Sequence, residues 1–372
     1  MDFEFSTLSV KGNDVNQWEN LLSRLDADIY YSPKYLSLFD GKDSVITERF
    51  GMDPKLIVYG NEDNFVINPI LKKPINTLAF YPKNREKDTD KQFYDIVSPW
   101  YYGGPLITYT DEKNRKSLVE GYFSHFHEYC ISENIISEFT RLHPLLKNNE
   151  VVEQYLKPDM RNKIVYVDLI QDEEDIWNAY KKENRKSINR SQKRGVEVVL
   201  SRKKEDIEKF YILYSDAMKR LNADKAYYLS LNFFNNLFSN LNDKAQLFIA
   251  LYEGEMIAGS ILIAGNDISH DFLRAFNPEF SVLVPNNLIV HNKIIWAKKH
   301  GYKVFSLQGG HGTDDGIFRF KLTFSQLTAD YYTYDVVHNQ IEYDRLSDLK
   351  REYNAQINQN TENNNYFPFY RQ

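Results

Sequence analysis

Cysteine is nearly absent from this sequence. Of 372 residues only Cys130 is a cysteine, which excludes an intramolecular disulfide and a cysteine-based zinc site. It lies in "LVEGYFSHFHEYC", where apolar residues recur at helical spacing, so buried packing is expected of it rather than nucleophilic chemistry. No apolar run long enough to cross a bilayer occurs, and the opening "MDFEFSTLSV" lacks a basic stretch followed by an apolar one. Neither a membrane span nor a secretory signal is expected, and the expected location is cytoplasmic. Familiar catalytic signatures are missing as well: there is no G-x-x-x-x-G-K-[ST] phosphate loop, no H-E-x-x-H and no G-x-S-x-G elbow. "GGHGTDDG" is rich in glycine, but the strand–helix context of a dinucleotide fingerprint is missing around it. His311 and Asp314 in this loop would need a third ligand to hold a metal, and none is visible, so no metal is expected.

Outside one concentrated place, positive charge is outnumbered. The formal charge is −6, from 46 basic and 52 acidic residues. Seven of the basic residues and one acidic residue fall within Lys181–Arg194, and the rest of the chain carries 39 against 51, or −12. The same segment, in "WNAYKKENRKSINRSQKRGVEVV", has one large apolar residue, Ile188, before Gly195 ends it and a β-like "VEVV" follows. Such a run is either a solvated helix face or a site for a polyanion.

The pattern of elements repeats. Asp14 is placed to start a helix with Trp18, Leu21, Leu22 and Leu25 on one face, and Ser32–Pro33 reads as an N-cap and first helical residue. "KLIVYGNEDNFVINPIL" predicts a hairpin with a polar turn at Asn61–Asn64, and a helix over Ser117–Ser132 and a strand "IISEFTRLHPLL" follow. In the second half, Ile207, Phe210, Tyr211, Tyr214 and Met218 form a helical stripe. "QLFIALYEGEMIAGSILIAG" then predicts another hairpin, turning at Glu253–Gly254. "ISHDFLRAF" reads as a strand, "LIVHNKIIWAKKHG" as a helix capped by Asn286 or Asn287 and stopped at Gly301, and "YKVFSLQGG" as a further strand. The two halves thus read as two copies of one α+β unit. The expected domains are 1–158 and 159–325, with 326–372 joining the first. The tail "NAQINQNTENNNYFPFYRQ" is rich in Asn and Gln and ends in aromatics expected to dock.

Three segments resemble the FemABX-like transferases, doubled relatives of the GNAT acyltransferases. "YKKENRKSINRSQKRGVEVV" is similar to the family's basic helix K-x-x-R-x-x-I-x-x-A-x-K-x-G-V, with Arg185, Ile188, Lys193, Gly195 and Val196 in place and Ser191 where alanine is usual. "VPNNLIVHNKIIWAKKHG" resembles its P-N-x-L helix ending in W-A-x-x-x-G, and "VFSLQGG…FRFKLTFS" its strand, glycine pair and F-K-x-x-F. "SPWYYGGPL" and "RLHPLL" look like segments of the family's polysaccharide-cluster branch. The likeness spans Ile29 to Phe324.

The resemblance implies two tandem GNAT-like domains of α+β class, each a mixed, mostly antiparallel sheet flanked by helices. It implies transfer of an aminoacyl group from aminoacyl-tRNA, or of an acetyl-type group from acyl-CoA, to an amine of a peptidoglycan or surface-polysaccharide precursor. No tightly bound cofactor is expected, and peripheral contact with a lipid-linked precursor is compatible with this reading. Carried over residue by residue, Lys321 would stabilise the tetrahedral intermediate, Phe320 would shape the pocket, and Asp271 is a candidate base. Lys182, Arg185, Lys186, Asn189 and Lys193, which recur at three- and four-residue steps, would bind the anionic donor. Asn286 and Asn287 at a helix start would offer a second anion site. Tyr101 and Tyr102, with Gly103 and Gly104 allowing close approach, would contact the acceptor. "FSVLVPNN" lacks the Q/R-x-x-G-x-G/A of coenzyme A-binding GNAT proteins. Two other readings stand beside this one: a coenzyme A-dependent acetyltransferase acting on a small amine or nucleotide sugar, and a non-catalytic RNA- or nucleotide-binding protein of the same fold.

Overall fold

The computed structural model describes residues 3–41, 51–81, 91–310, 312, 315–357 and 366–372; His311 and Asp314 lie outside the described residues. The chain forms two compact units. The first comprises Met1–Leu25, Met52–Arg161 and Tyr332–Gln372, and the second Asp26–Gly51 and Asn162–Tyr331. The stretch beginning at Asp26 therefore packs with the second half of the sequence, although it lies in the first. Its aromatics explain why: Tyr35 is fully buried and meets Phe272 edge-on at 6.4 Å, and Ser37 accepts a 3.0 Å hydrogen bond from Asn240.

The chain opens with β1 (Glu4–Ser9) and α1 (Asp14–Ser23). α2 (Pro33–Leu36) follows, with Ser32 accepting from the Lys34 N–H and Pro33 at the first helical position, as the sequence predicts. Next come β2 (Asp53–Gly60), β3 (Phe65–Pro74), β4 (Tyr94–Val97), β5 (Leu106–Thr108) and α3 (Glu112–Ser132). α3 starts five residues earlier than expected because Asp111 caps it, accepting from the Lys113 N–H. β6 (Ile135–Arg141), α4 (Asn149–Val152) and β7 (Asp159–Asp168) lead to α5 (Glu173–Ala179) and the basic helix α6 (Lys182–Lys193). Then follow β8 (Glu197–Ser201), α7 (Lys204–Arg220), α8 (Leu231–Leu241), β9 (Ala245–Tyr252), β10 (Glu255–Ala264) and β11 (Ile268–Phe276). α9 (Pro285–Lys299), β12 (Val304–Gly309), α10 (Gly316–Lys321), β13 (Thr328–Val337) and α11 (Gln340–Gln356) complete the order.

The repeat expected from the sequence is realised in the topology. In the first unit the strand order is β1-β2-β3-β4-β6-β13, with β5 also on β3. In the second it is β8-β9-β10-β11-β12-β7. Each series is antiparallel except at one place, β4 with β6 and β11 with β12. A parallel neighbour requires a crossover, and the crossover helices are α3 and α9. The β2–β3 hairpin pairs without a shift and β9–β10 carries one irregularity between Met256 and Ala258; the latter turns on Glu253 and Gly254, whose φ values of 52° and 81° are those of a type I′ turn. The molecule is thus an α+β tandem repeat.

Each unit has its own core. In the first, Leu118, Tyr122, Phe126 and Cys130 of α3 pack on Ile57, Val66, Ile70 and Ile96 of the sheet. Cys130 is fully buried, and burial pushes its thiol well above the ordinary range, so it is core filler as expected. The terminal aromatics dock: Tyr370 is buried beside Ile75, Phe93, Ile136 and Leu346, and both Tyr370 and Arg371 bind Asp95. In the second, α9 contributes Leu288, Ile289, Val290, Ile294 and Ala297 against Phe248, Ala258, Leu262 and Phe305. Among the described residues no helix is long and apolar enough to cross a membrane.

Candidate active site

The glycine pair ending β12 is followed by α10, capped by Asp315, whose Oδ1 accepts from the Phe318 N–H at 2.6 Å. The capped turn carries Lys321 inward. Lys321 is the last residue of a six-residue helix and only 6% exposed. Its Nζ donates to the Gly309 carbonyl at 2.6 Å. Burial, more than any neighbour, pushes the Lys321 ammonium down to about 8, with Asp271 opposing and Arg274 reinforcing the shift. Phe320 is half-buried, edge-on to Phe324 at 5.4 Å, and the Arg274 guanidinium lies 4.9 Å above its ring.

Asp271, on β11, is buried and already committed. Lys293 of α9 donates to its Oδ1, Ser260 of β10 donates to the same oxygen at 3.2 Å, and Arg274 Nη2 stands 3.9 Å from Oδ2. Lys293, with no exposed surface, also donates to Ser260 Oγ at 2.6 Å. Burial alone would raise the Asp271 carboxyl, but the charges of Lys293, Arg274 and Lys321 outweigh it and hold the group well below the usual carboxylate range. A carboxylate so stabilised is a weak proton acceptor, so the geometry makes Asp271 a counter-ion among three cations. Burial pushes Lys293 down to about 8 despite that partner.

The basic helix has two faces. Asn184, Ile188 and Ser191 are buried, and at 100° per residue Lys182, Lys186, Asn189 and Lys193 project from the opposite side, where all four are exposed. Arg185 lies between the faces and is engaged: its Nη1 donates to the Trp177, Asn178 and Tyr180 carbonyls, closing the C-terminal end of α5. That Nη1 is not available to a donor phosphate. The start of α6 is tied to the segment after Lys321, since Lys181 N–H and Asn184 Nδ2 both donate to the Thr323 carbonyl, at 2.9 and 3.1 Å. Beyond its far end lies a groove of about 430 Å³ lined by Arg194, Gly195, Glu197, Leu251, Tyr252, Glu253 and Gly254.

The cap expected at Asn286 or Asn287 is displaced. α9 begins at Pro285, preceded by Val284 in the left-handed region, so both asparagines sit inside the first turn. Asn287 Nδ2 donates to Asn184 Oδ1 at 2.8 Å, joining α9 to α6, while Asn286 Oδ1 is buried without a partner.

The expected acceptor contacts belong to the first unit. Tyr102 is buried, edge-on to His143 at 5.1 Å, whereas Tyr101 is half-buried with φ 80°. Gly103 N–H donates to the Arg141 carbonyl at 2.8 Å, and its own carbonyl accepts from Asn148 Nδ2 at 2.8 Å. Gly104 has φ 87°, and a Cβ there would stand 2.5 Å from Leu142 Cδ2, so backbone packing demands this glycine.

Sequence reasoning missed Lys293, Arg274 and Ser260. Lys293 did leave a signal: a lysine inside "LIVHNKIIW", four residues from both Ile289 and Ala297 and so on the apolar stripe. A second buried polar row also went unseen. His270 binds Asp28 Oδ2 through Nε2 at 2.6 Å and Gln308 Nε2 through Nδ1 at 2.9 Å, and Gln308 reaches the Tyr30 hydroxyl at 3.2 Å. Its members come from three distant segments, so spacing could not reveal it.

Comparison with known proteins bears on the fold. Residues 178–322 match the family described as acetyltransferase (GNAT) domain. No curated protein sequence matches the chain. Among solved structures, the crystal structure of FemX superposes with a TM-score of 0.67 at 12% identity, covering 91% of this chain and 99% of FemX. The structure of L-PGS from Bacillus licheniformis gives 0.51 at 11% identity, covering 90% and 94%. Residues 178–322 therefore match the GNAT acetyltransferase domain by sequence, and the chain as a whole shares the fold of FemX.

Proposed function

We propose that this chain is an N-acyltransferase that moves an acyl group from an anionic donor, an aminoacyl-tRNA or an acyl-CoA, to a primary amine of a cell-envelope precursor. The observation carrying the reading is Lys321: a buried ammonium at the end of a capped turn, backed by Phe320 and held among Asp271, Arg274 and Lys293. In the reaction the neutral amine attacks the donor carbonyl and a C–N bond forms. Charge moves to the carbonyl oxygen, and the Lys321 ammonium stabilises it in a site of low dielectric. Collapse of the intermediate breaks the ester C–O or thioester C–S bond, and the amine's proton leaves to the departing group through solvent or the substrate's own groups. Asp271 serves as counter-ion, not base. The exposed Lys182, Lys186 and Lys193 supply positive charge for the donor's phosphates. The envelope acceptor rests on the resemblance of the motifs to the FemABX-like transferases.

The test is transfer of labelled acyl groups from aminoacyl-tRNA or acyl-CoA to UDP-linked muropeptides. Lys321→Ala should lower kcat by about 100-fold or more while sparing donor binding. Because Lys321 acts as a cation, wild-type rates should fall above pH about 8, and Lys321→Arg should move that limb upward. Donor binding with no turnover by the wild-type protein against any of these acceptors would overturn the acyltransferase reading in favour of a binding protein of the same fold.

A further inference from the structure

The charges around Asp271 do not balance. Lys293, Arg274 and Lys321 act on this carboxylate together, and Asp315, the other acid in reach of Lys321, accepts from the Phe318 and Gly312 N–H groups. Among the described residues three cations therefore face two carboxylates in a largely buried cluster, at a cost that a folded protein offsets by adding an anion or discarding protons.

Arg274 shows where an anion would go. Its guanidinium is fixed on two sides, by the Phe320 ring 4.9 Å below it and by Asp271 Oδ2 3.9 Å from Nη2. Its Nη1 is buried and has no hydrogen-bond partner among the described residues. Buried guanidinium donors are almost always paired, because an unmade charged hydrogen bond carries the full desolvation penalty. The side chain keeps about a fifth of its surface exposed, so the site is open to a ligand. Nothing in the sequence singles out Arg274, which lies in a strand of ordinary composition.

We propose that Arg274 Nη1, with the Phe320 face beneath it and the surplus charge of Lys321 beside it, binds an oxyacid group, carboxylate or phosphate, of a substrate in its ground state. A planar, permanently charged fork suits such a group better than a point charge does. That the anion belongs to an acyl-transfer substrate rests on the function proposed above; the binding itself does not.

The experiment is calorimetric titration of the full chain with inorganic phosphate and with acetate at constant ionic strength. It is repeated on Arg274→Gln and Arg274→Lys, and the folded state of each protein is checked by circular dichroism. Wild type should bind one of the two anions saturably, and which one it binds separates a phosphate ligand from a carboxylate ligand. Arg274→Gln should weaken that binding by about tenfold or more, and Arg274→Lys by less. A control, Lys204→Gln on the exposed surface of α7, should leave it unchanged. If Arg274→Gln does not fold, Arg274→Lys decides alone, since it keeps the charge and loses the fork. No saturable binding by wild type overturns the proposal. Affinity within twofold of wild type in Arg274→Gln, or in Arg274→Lys where that variant decides alone, overturns it too. In the transfer assay the same substitution should raise KM with little change in kcat, whereas Lys321→Ala acts on kcat. Loss of phosphate or acetate binding without any turnover would therefore uphold this site while sinking the acyltransferase reading.

Discussion

Removing Asp271 should damage the second unit more than removing Lys293, and the reason is the number of cations. With Asp271→Asn, the fully buried Lys293 loses its counter-ion and faces Arg274 and Lys321 with only the Ser260 hydroxyl left. An uncompensated buried charge of this kind typically costs about 3–5 kcal/mol, part of it relieved when Lys293 gives up its proton. With Lys293→Met the carboxylate keeps Arg274 at 3.9 Å and the charge of Lys321 nearby, so a smaller loss, about 1–3 kcal/mol, is expected. The double variant Asp271→Asn/Lys293→Met removes both charges and should cost less than the two single losses together, by about 2 kcal/mol or more. Urea unfolding gives the totals. Hydrogen exchange of the β10, β11 and α9 amides localises them to the second unit, which matters because two units need not unfold together. Two near-neutral single variants, or a double variant equal to the sum of its parts, would refute the claim that this ion pair is energetically coupled.

Two further outcomes are expected. Ser191 is fully buried in α6 and its hydroxyl has no partner, so Ser191→Ala should raise stability by about 1 kcal/mol, seen as a higher urea midpoint at unchanged slope; a lower midpoint would show that the hydroxyl is satisfied. His291 packs against Trp177 and Tyr180, and burial holds its imidazole down at about 4. The unfolded chain therefore takes up this proton first. Stability is complete above pH about 6.5 and falls as pH drops from there to about 4, by up to about 3 kcal/mol. His291→Gln should flatten that part of the Tm–pH curve, and an unchanged slope would place the titration elsewhere.

Periodicity and turn chemistry made much of the fold legible. Both hairpins, the crossover helix ending at Gly301 and the capped start at Ser32–Pro33 follow from residues in contact with near neighbours. One local element went unread and one reading failed, each for an identifiable reason. α10 was hidden because six residues are too few to show a helical period, and its signal was a single cap, Asp315. The asparagines at 286 and 287 competed as caps with a proline that sets the first turn one residue earlier. Arg185 looked like one more cation on a charged helix, and only the structure shows its Nη1 closing α5.

What the sequence by itself determined is whatever a few consecutive residues decide: the order of strands and helices, their duplication, the concentrated charge of α6, and the presence of Lys321 after a glycine loop. What only the tertiary structure decided is which distant side chains share one small buried volume. Ser260, Asp271, Arg274, Lys293 and Lys321 come from two adjacent strands, a crossover helix and a capped turn. Their pKa shifts and hydrogen bonds depend on desolvation and on separations of a few ångströms, quantities that no spacing along the chain encodes.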